Sequence, residues 1–151
     1  MDRFTLGVVG GVLALVVAGL VAAAILRGHS PPPDLSTPSG VVLAYALAEQ
    51  QRDGQAAWDL LASSVQARNN RDEFLVRFGN IGHDREYLTT EDERIDADGA
   101  SVVLVRTNPP SGGLFGSSSS SYRTTVRLVR EVDGWRITVP PDPYVLVSSK
   151  P

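Results

Sequence analysis

Few residues in this chain are of kinds that do chemistry, and they are scattered. There are two histidines, His29 and His83, and no cysteine. The lack of cysteine excludes disulfides, thiolate metal sites, a cysteine nucleophile and a lipidated Cys near the N-terminus. No G-x-S-x-G, P-loop or H-E-x-x-H pattern occurs, so nothing announces nucleophilic, phosphate-binding or zinc-dependent chemistry. His83 stands in a Gly-flanked turn and His29 just beyond Arg27, and neither is read as a metal ligand. The densest set of oxygen ligands is Glu91-Asp92-Glu93 with Asp96 and Asp98. Its spacing does not give the fixed alternate oxygens and distal Glu of a calcium loop. On a strand, Glu91 and Glu93 share one face with Arg94 on the other, which reads as a solvated edge that resists aggregation. Asp59 falls on an exposed helix flank. Tyr45 and Tyr87 are suited to inward positions, where a hydroxyl is expected to be a satisfied structural group. General acid–base catalysis needs a positioned pair, and none is recognisable. No catalytic, metal or cofactor residue is expected, and neither a carboxylate nor a histidine is expected to line a deep apolar pocket of the domain.

The N-terminus is set apart by composition. Residues 4–26 hold no charge and are bracketed by Asp2–Arg3 and Arg27. Their length as a helix, roughly 34 Å, exceeds the ~30 Å of a hydrocarbon core. A retained single-pass anchor is expected, behind a cytoplasmic head of residues 1–3. The competing reading is a cleaved signal peptide with Ala22-x-Ala24 as its small-residue site, against which the run is long and the charged start meagre. Small residues recur at four-residue spacing, Gly7 with Gly11 and the row Gly10, Ala14, Ala18, Ala22. Such rows let helix backbones approach closely, so homodimerisation through this face stands beside chance occurrence in a Gly/Ala/Val-rich span. Residues 27–37, with three consecutive prolines, read as an extended stalk.

Residues 38–147 read as one folded domain, followed by a tail of residues 148–151. Thr37-Pro38 is a helix start, and the apolar run from Val41 ends at Asp53-Gly54, with Gly54 suited to a left-handed cap. A second helix from Gln55 puts Trp58, Leu61 and Val65 on one face. Asn70, three residues before Glu73, starts a third in which Phe74 and Phe78 stack. From Glu86 the pattern alternates. Asp98-Gly99 and Asp133-Gly134 mark hairpins, Val126 and Leu128 alternate with Arg127, and Trp135 and Ile137 with Arg136. Pro140, Pro141 and Pro143 stop the sheet. Residues 108–121 read as a flexible Gly/Ser loop, tipped by Leu114 and Phe115. The fold class is α+β, with three helices packed on a curved antiparallel sheet of about four strands.

Tyr45-Ala46-Leu47 followed by Arg52-Asp53-Gly54-Gln55-Ala56-Ala57-Trp58-Asp59-Leu60-Leu61-Ala62 resembles the opening of nuclear transport factor 2-like domains. Asp133-Gly134-Trp135-Arg136-Ile137 resembles their closing hairpin. The resemblance implies a curved sheet wrapped around a long helix as a cone, a scaffold of isomerases and cyclases and also of non-catalytic modules on membrane anchors. No family catalytic motif maps onto this chain. Setting aside Asp2, Arg3 and Arg27, which contribute +1 to the formal −3, leaves −4; without a dense basic stripe, nucleic acid is not an expected partner. The expected function is a non-enzymatic, single-pass domain at the cell membrane. It would be extracytoplasmic and bind a protein or envelope partner near the membrane surface. The alternatives are a cone that takes a small apolar ligand and, behind it, a cyclase- or isomerase-like enzyme. Tyr45, Trp58, Phe74, Phe78 and Trp135 are the aromatics that would line such a pocket or else form the core.

Overall fold

The computed structural model describes residues 32–80, 86–108 and 119–146. The expected membrane segment with its small-residue face, His29, His83, Leu114, Phe115 and the tail from residue 148 lie outside these residues. Among the described residues no helix is long and apolar enough to cross a membrane. Pro33–Pro151 forms one compact unit.

Helix α1, Pro38–Gln51, starts as its sequence dictates. Pro38 occupies the first turn, and Thr37 Oγ1 accepts from Gly40 N at 3.1 Å. Residues 34–37, inside the expected stalk, form a turn instead of running on extended, because the Asp34 carbonyl accepts from both Thr37 N (3.1 Å) and Thr37 Oγ1 (3.0 Å). That carbonyl lies so close to the helix that a Cβ on Gly40 would fall 1.9 Å from it. The left-handed residue closing α1 is Arg52 (φ 56°), not Gly54. Asp53 is then free to cap the next helix, accepting from Ala56 N at 3.0 Å, and Gly54 becomes its first residue.

The expected second helix is two, α2 Gly54–Asp59 and α3 Ser63–Gln66. The break has a tertiary cause. Ile137 N donates to Leu60 O and Ala62 N to Ile137 O, both at 2.9 Å, so residues 60–62 are drawn out as a short parallel bridge to the sheet. Trp58, Leu61 and Val65 are nonetheless all buried. Helix α4, Arg71–Asn80, is capped by Asn70, whose Oδ1 accepts from Glu73 N at 3.1 Å. Among the described residues the α-helices therefore number four rather than three.

The strands β1 Tyr87–Ile95, β2 Ala100–Thr107, β3 Ser121–Glu131 and β4 Gly134–Val139 form an antiparallel meander in the order 1-2-3-4. Val102, Leu104, Val126, Leu128, Trp135 and Ile137 face the helices and are buried. Val132 and Asp133 make the two-residue turn into β4, and Gly134 supplies the positive φ of 120°. The β2–β3 ladder runs on past Thr107, with Asn108 N donating to Ser120 O at 3.0 Å inside the stretch expected to be loop.

A bulge in β1 changes the acidic run. Glu91 pairs with Val103 but Arg94 with Ser101, so one extra residue is inserted, with Asp92 at φ 49°. Alternation is reversed beyond it, and Glu91 and Glu93 no longer share a face. Glu93 now reaches the start of α1, accepting from Ser39 N at 2.9 Å and from Ser39 Oγ, while Glu91 meets Arg123 at 3.4 Å.

Candidate functional site

Four elements deliver charged side chains to one end of the inner sheet face. Arg106, near the end of β2, follows Val102 and Leu104 at strand period two and so points to the same side. Glu49 comes from the last turn of α1. Glu86 immediately precedes β1 and is held by Gln50, whose Nε2 donates to its carbonyl at 2.7 Å. Asp142 lies past β4, where the prolines have ended strand pairing. It caps a 3-10 turn, Pro143–Val145, accepting from Tyr144 N at 3.1 Å. Burial of Val145 fixes that turn against the core.

Arg106 is the hub. One terminal nitrogen donates to Glu49 Oε2 and the other lies 3.5 Å from Glu86 Oε2. Arg106, Glu86, Tyr122 and residues 141–144 enclose an open cleft of about 300 Å3. Tyr122 and Tyr144 stand at its rim, 61% and 86% exposed. Glu49 lies behind Arg106 at 2% exposure. Such a pair is not strong support for the fold, since desolvating two charges offsets most of their attraction.

The cluster is incompletely satisfied. Among the described residues three buried side-chain polar atoms have no hydrogen-bond partner, and two are here: Glu49 Oε1 and the Tyr45 hydroxyl. The two residues sit one turn apart on the same face of α1. Burial pushes the Glu49 carboxyl up to about 7; Arg106 opposes the rise, and Asp142 and Glu86 add to it. The Tyr45 hydroxyl is likewise held well above its ordinary value, first by burial and then by Glu49 and Asp142.

The aromatics singled out from the sequence are packed among themselves. Trp58 meets Phe74 at 5.1 Å between ring centres, Phe74 stacks on Phe78 at 5.3 Å, and Phe78 meets Tyr45 edge-on at 6.0 Å. Trp135 is covered by the Arg130 guanidinium, 5.6 Å from its ring centre. None of the five lines the cleft at Arg106. Asp59 is exposed and accepts from Gln55 Nε2 at 2.7 Å. Two expectations are corrected. Tyr87, suited by its sequence setting to an inward position, is 67% exposed. The Tyr45 hydroxyl is not a satisfied structural group.

The signal for this site was present but faint. Glu49 is a carboxylate at the end of a run apolar on most sides, and Arg106 falls at the inner parity of VVLVR. What brings Glu86 and Asp142 to them is the folding of the chain on both sides, which no local pattern encodes.

A larger groove, about 560 Å3, lies along the helix-free face beside Ser101, Thr125, Arg127 and Thr138. None of the unpartnered buried atoms belongs to its lining. Compared with models of known protein families and with curated proteins, the chain matches none.

Proposed function

We propose that this chain is a membrane-anchored, non-enzymatic binding domain of nuclear transport factor 2-like kind, which engages a protein or envelope partner near the membrane surface. The observation that carries this reading is the closed aromatic core. Trp58, Phe74, Phe78 and Tyr45 pack against one another in the core, where a small apolar ligand would otherwise lie. Recognition is thereby assigned to the surface. Tyr122 and Tyr144, amphipathic rings with little conformational freedom to lose, stand exposed there.

Catalysis is not the favoured reading. An acid or base must come within hydrogen-bond reach of the reacting group. Among the described residues the one carboxyl with a strongly raised pKa, Glu49, lies behind Arg106 and does not line the cleft.

The test is affinity purification of the full-length protein, crosslinked in its native membrane and read by mass spectrometry. One envelope protein recovered reproducibly, and lost when residues 40–151 are deleted, is the expected result. Recovery that is unchanged by the deletion, or nothing specific at all, overturns the reading.

A further inference from the structure

We infer that residues 141–146 are a pH-gated strap, closed over Glu49 and Tyr45 while Glu49 is a neutral acid and lifted from the core once it ionises. The geometry that points to this is the way the segment is held. Pro141 and Pro143 have no N–H to give. Among the described residues the two hydrogen bonds that residues 141–146 make are internal, Tyr144 N to Asp142 Oδ1 and Leu146 N to Pro143 O, each at 3.1 Å. The hold on the rest of the domain is therefore apolar. Val145, 1% exposed, is set into the core, Leu146 packs partly against it, and the turn lies on α4. A segment fastened by so few buried contacts opens at lower free energy than the domain unfolds.

What lies under the strap does not tolerate added charge. Glu49 Oε1 and the Tyr45 hydroxyl are buried without a hydrogen-bond partner. The titratable and charged groups around them are Tyr45 and Glu49 themselves on α1, Glu86 before β1, Arg106 on β2 and Asp142 on the strap. From α4 comes the Phe78 ring, edge-on to Tyr45. With Glu49 neutral, Arg106 stands among two carboxylates. With Glu49 ionised it stands among three, and the new charge spreads onto an oxygen that no donor reaches. Arg106, Glu49 and Glu86 are fixed by helix and sheet, so Asp142 is the carboxylate that can withdraw. Its withdrawal with the strap also lets water reach Oε1. The closed form holds the Glu49 proton up to about pH 7, whereas an open, hydrated carboxyl releases it near the ordinary 4.5. Opening is thus linked to proton loss, and the open population rises by about fifty-fold between about pH 5 and about pH 8.

The inference goes beyond the binding-domain proposal and depends on neither the anchor nor a partner. It is tested on the full-length chain in detergent micelles, with isotopically labelled valine methyls and a neutral gadolinium chelate as the solvent probe. The Val145 methyls are expected to be sealed at about pH 5 and increasingly broadened by the chelate toward about pH 8. Val102 and Val126, buried in the sheet, stay sealed throughout. Glu49→Gln, which copies the neutral acid, keeps Val145 sealed across the range. Asp142→Asn leaves the core untouched, keeps an acceptor for Tyr144 N and reduces the rise. Val145 methyls that remain sealed in the wild type at the upper pH overturn the inference. So does broadening of Val102 and Val126 in step with Val145, which is global unfolding. A folded Glu49→Gln chain, or an Asp142→Asn chain, that opens as the wild type does overturns it as well. None of these outcomes bears on whether a protein is recovered by crosslinking, so the two proposals fail separately.

Discussion

Glu49 is where residue-level chemistry feeds back on the fold. It is nearly sealed from solvent, ion-paired on one oxygen and unpaired on the other. Its carboxyl is raised from 4.5 to about 7. The folded state therefore keeps a proton that the unfolded chain releases at lower pH. The resulting stabilisation is full below about 4.5 and is lost as pH rises to about 7. The span corresponds to on the order of 3 kcal/mol. The melting temperature is expected to fall by about 10 °C between about pH 5 and about pH 8. Glu49→Gln, which copies the neutral acid and keeps an acceptor for Arg106, flattens that dependence. Parallel pH profiles for wild type and variant, measured by circular dichroism, would show that another group carries the titration.

At the scale of elements, contacts distant in sequence overrule local pattern in two places. The bulge at Asp92 turns Glu93 from a solvated strand position into a cap on α1. Its carboxylate meets Ser39 N and Oγ at the positive end of a helix whose own first turn holds no acidic residue. Glu93→Ala is expected to cost about 1 kcal/mol, read as a lower urea midpoint with an unchanged m-value. Glu93→Gln, which keeps an acceptor without the charge, should lose less. An unchanged midpoint in both would place the contact among the surface interactions that contribute nothing measurable. The second place is the break at residues 60–62. There the exchange of hydrogen bonds with Ile137 replaces a helical turn and ties the helical layer to β4.

For the molecule as a whole, Pro33–Pro151 holds its own core, from Val41 on α1 to Val145 beyond the sheet. Removing residues 1–32 is expected to leave a cooperative unfolding transition at a melting temperature within about 2 °C of the full-length chain, since every core side chain among the described residues is kept. A large drop or a broad, non-cooperative transition would mean that the preceding segment stabilises the domain. Charged side chains from distant parts of the chain also gather at the end of the inner sheet face. There Glu49, Glu86 and Asp142 converge on Arg106.

The amino-acid sequence alone determined the order of elements, the meander and its tight turns, and the Thr37 and Asn70 caps. These follow from periodicity, cap chemistry and turn residues, all of which act within a few positions of the chain. Only the tertiary structure decided that Arg52 rather than Gly54 closes α1, that the second helix is divided, and that Glu93 changes face. It also decided that the sealed Glu49 meets Arg106 beside Glu86 and Asp142. Each of these depends on residues tens of positions apart arriving at one place. The free energy of a buried charge is set by that meeting, not by the local sequence on either side.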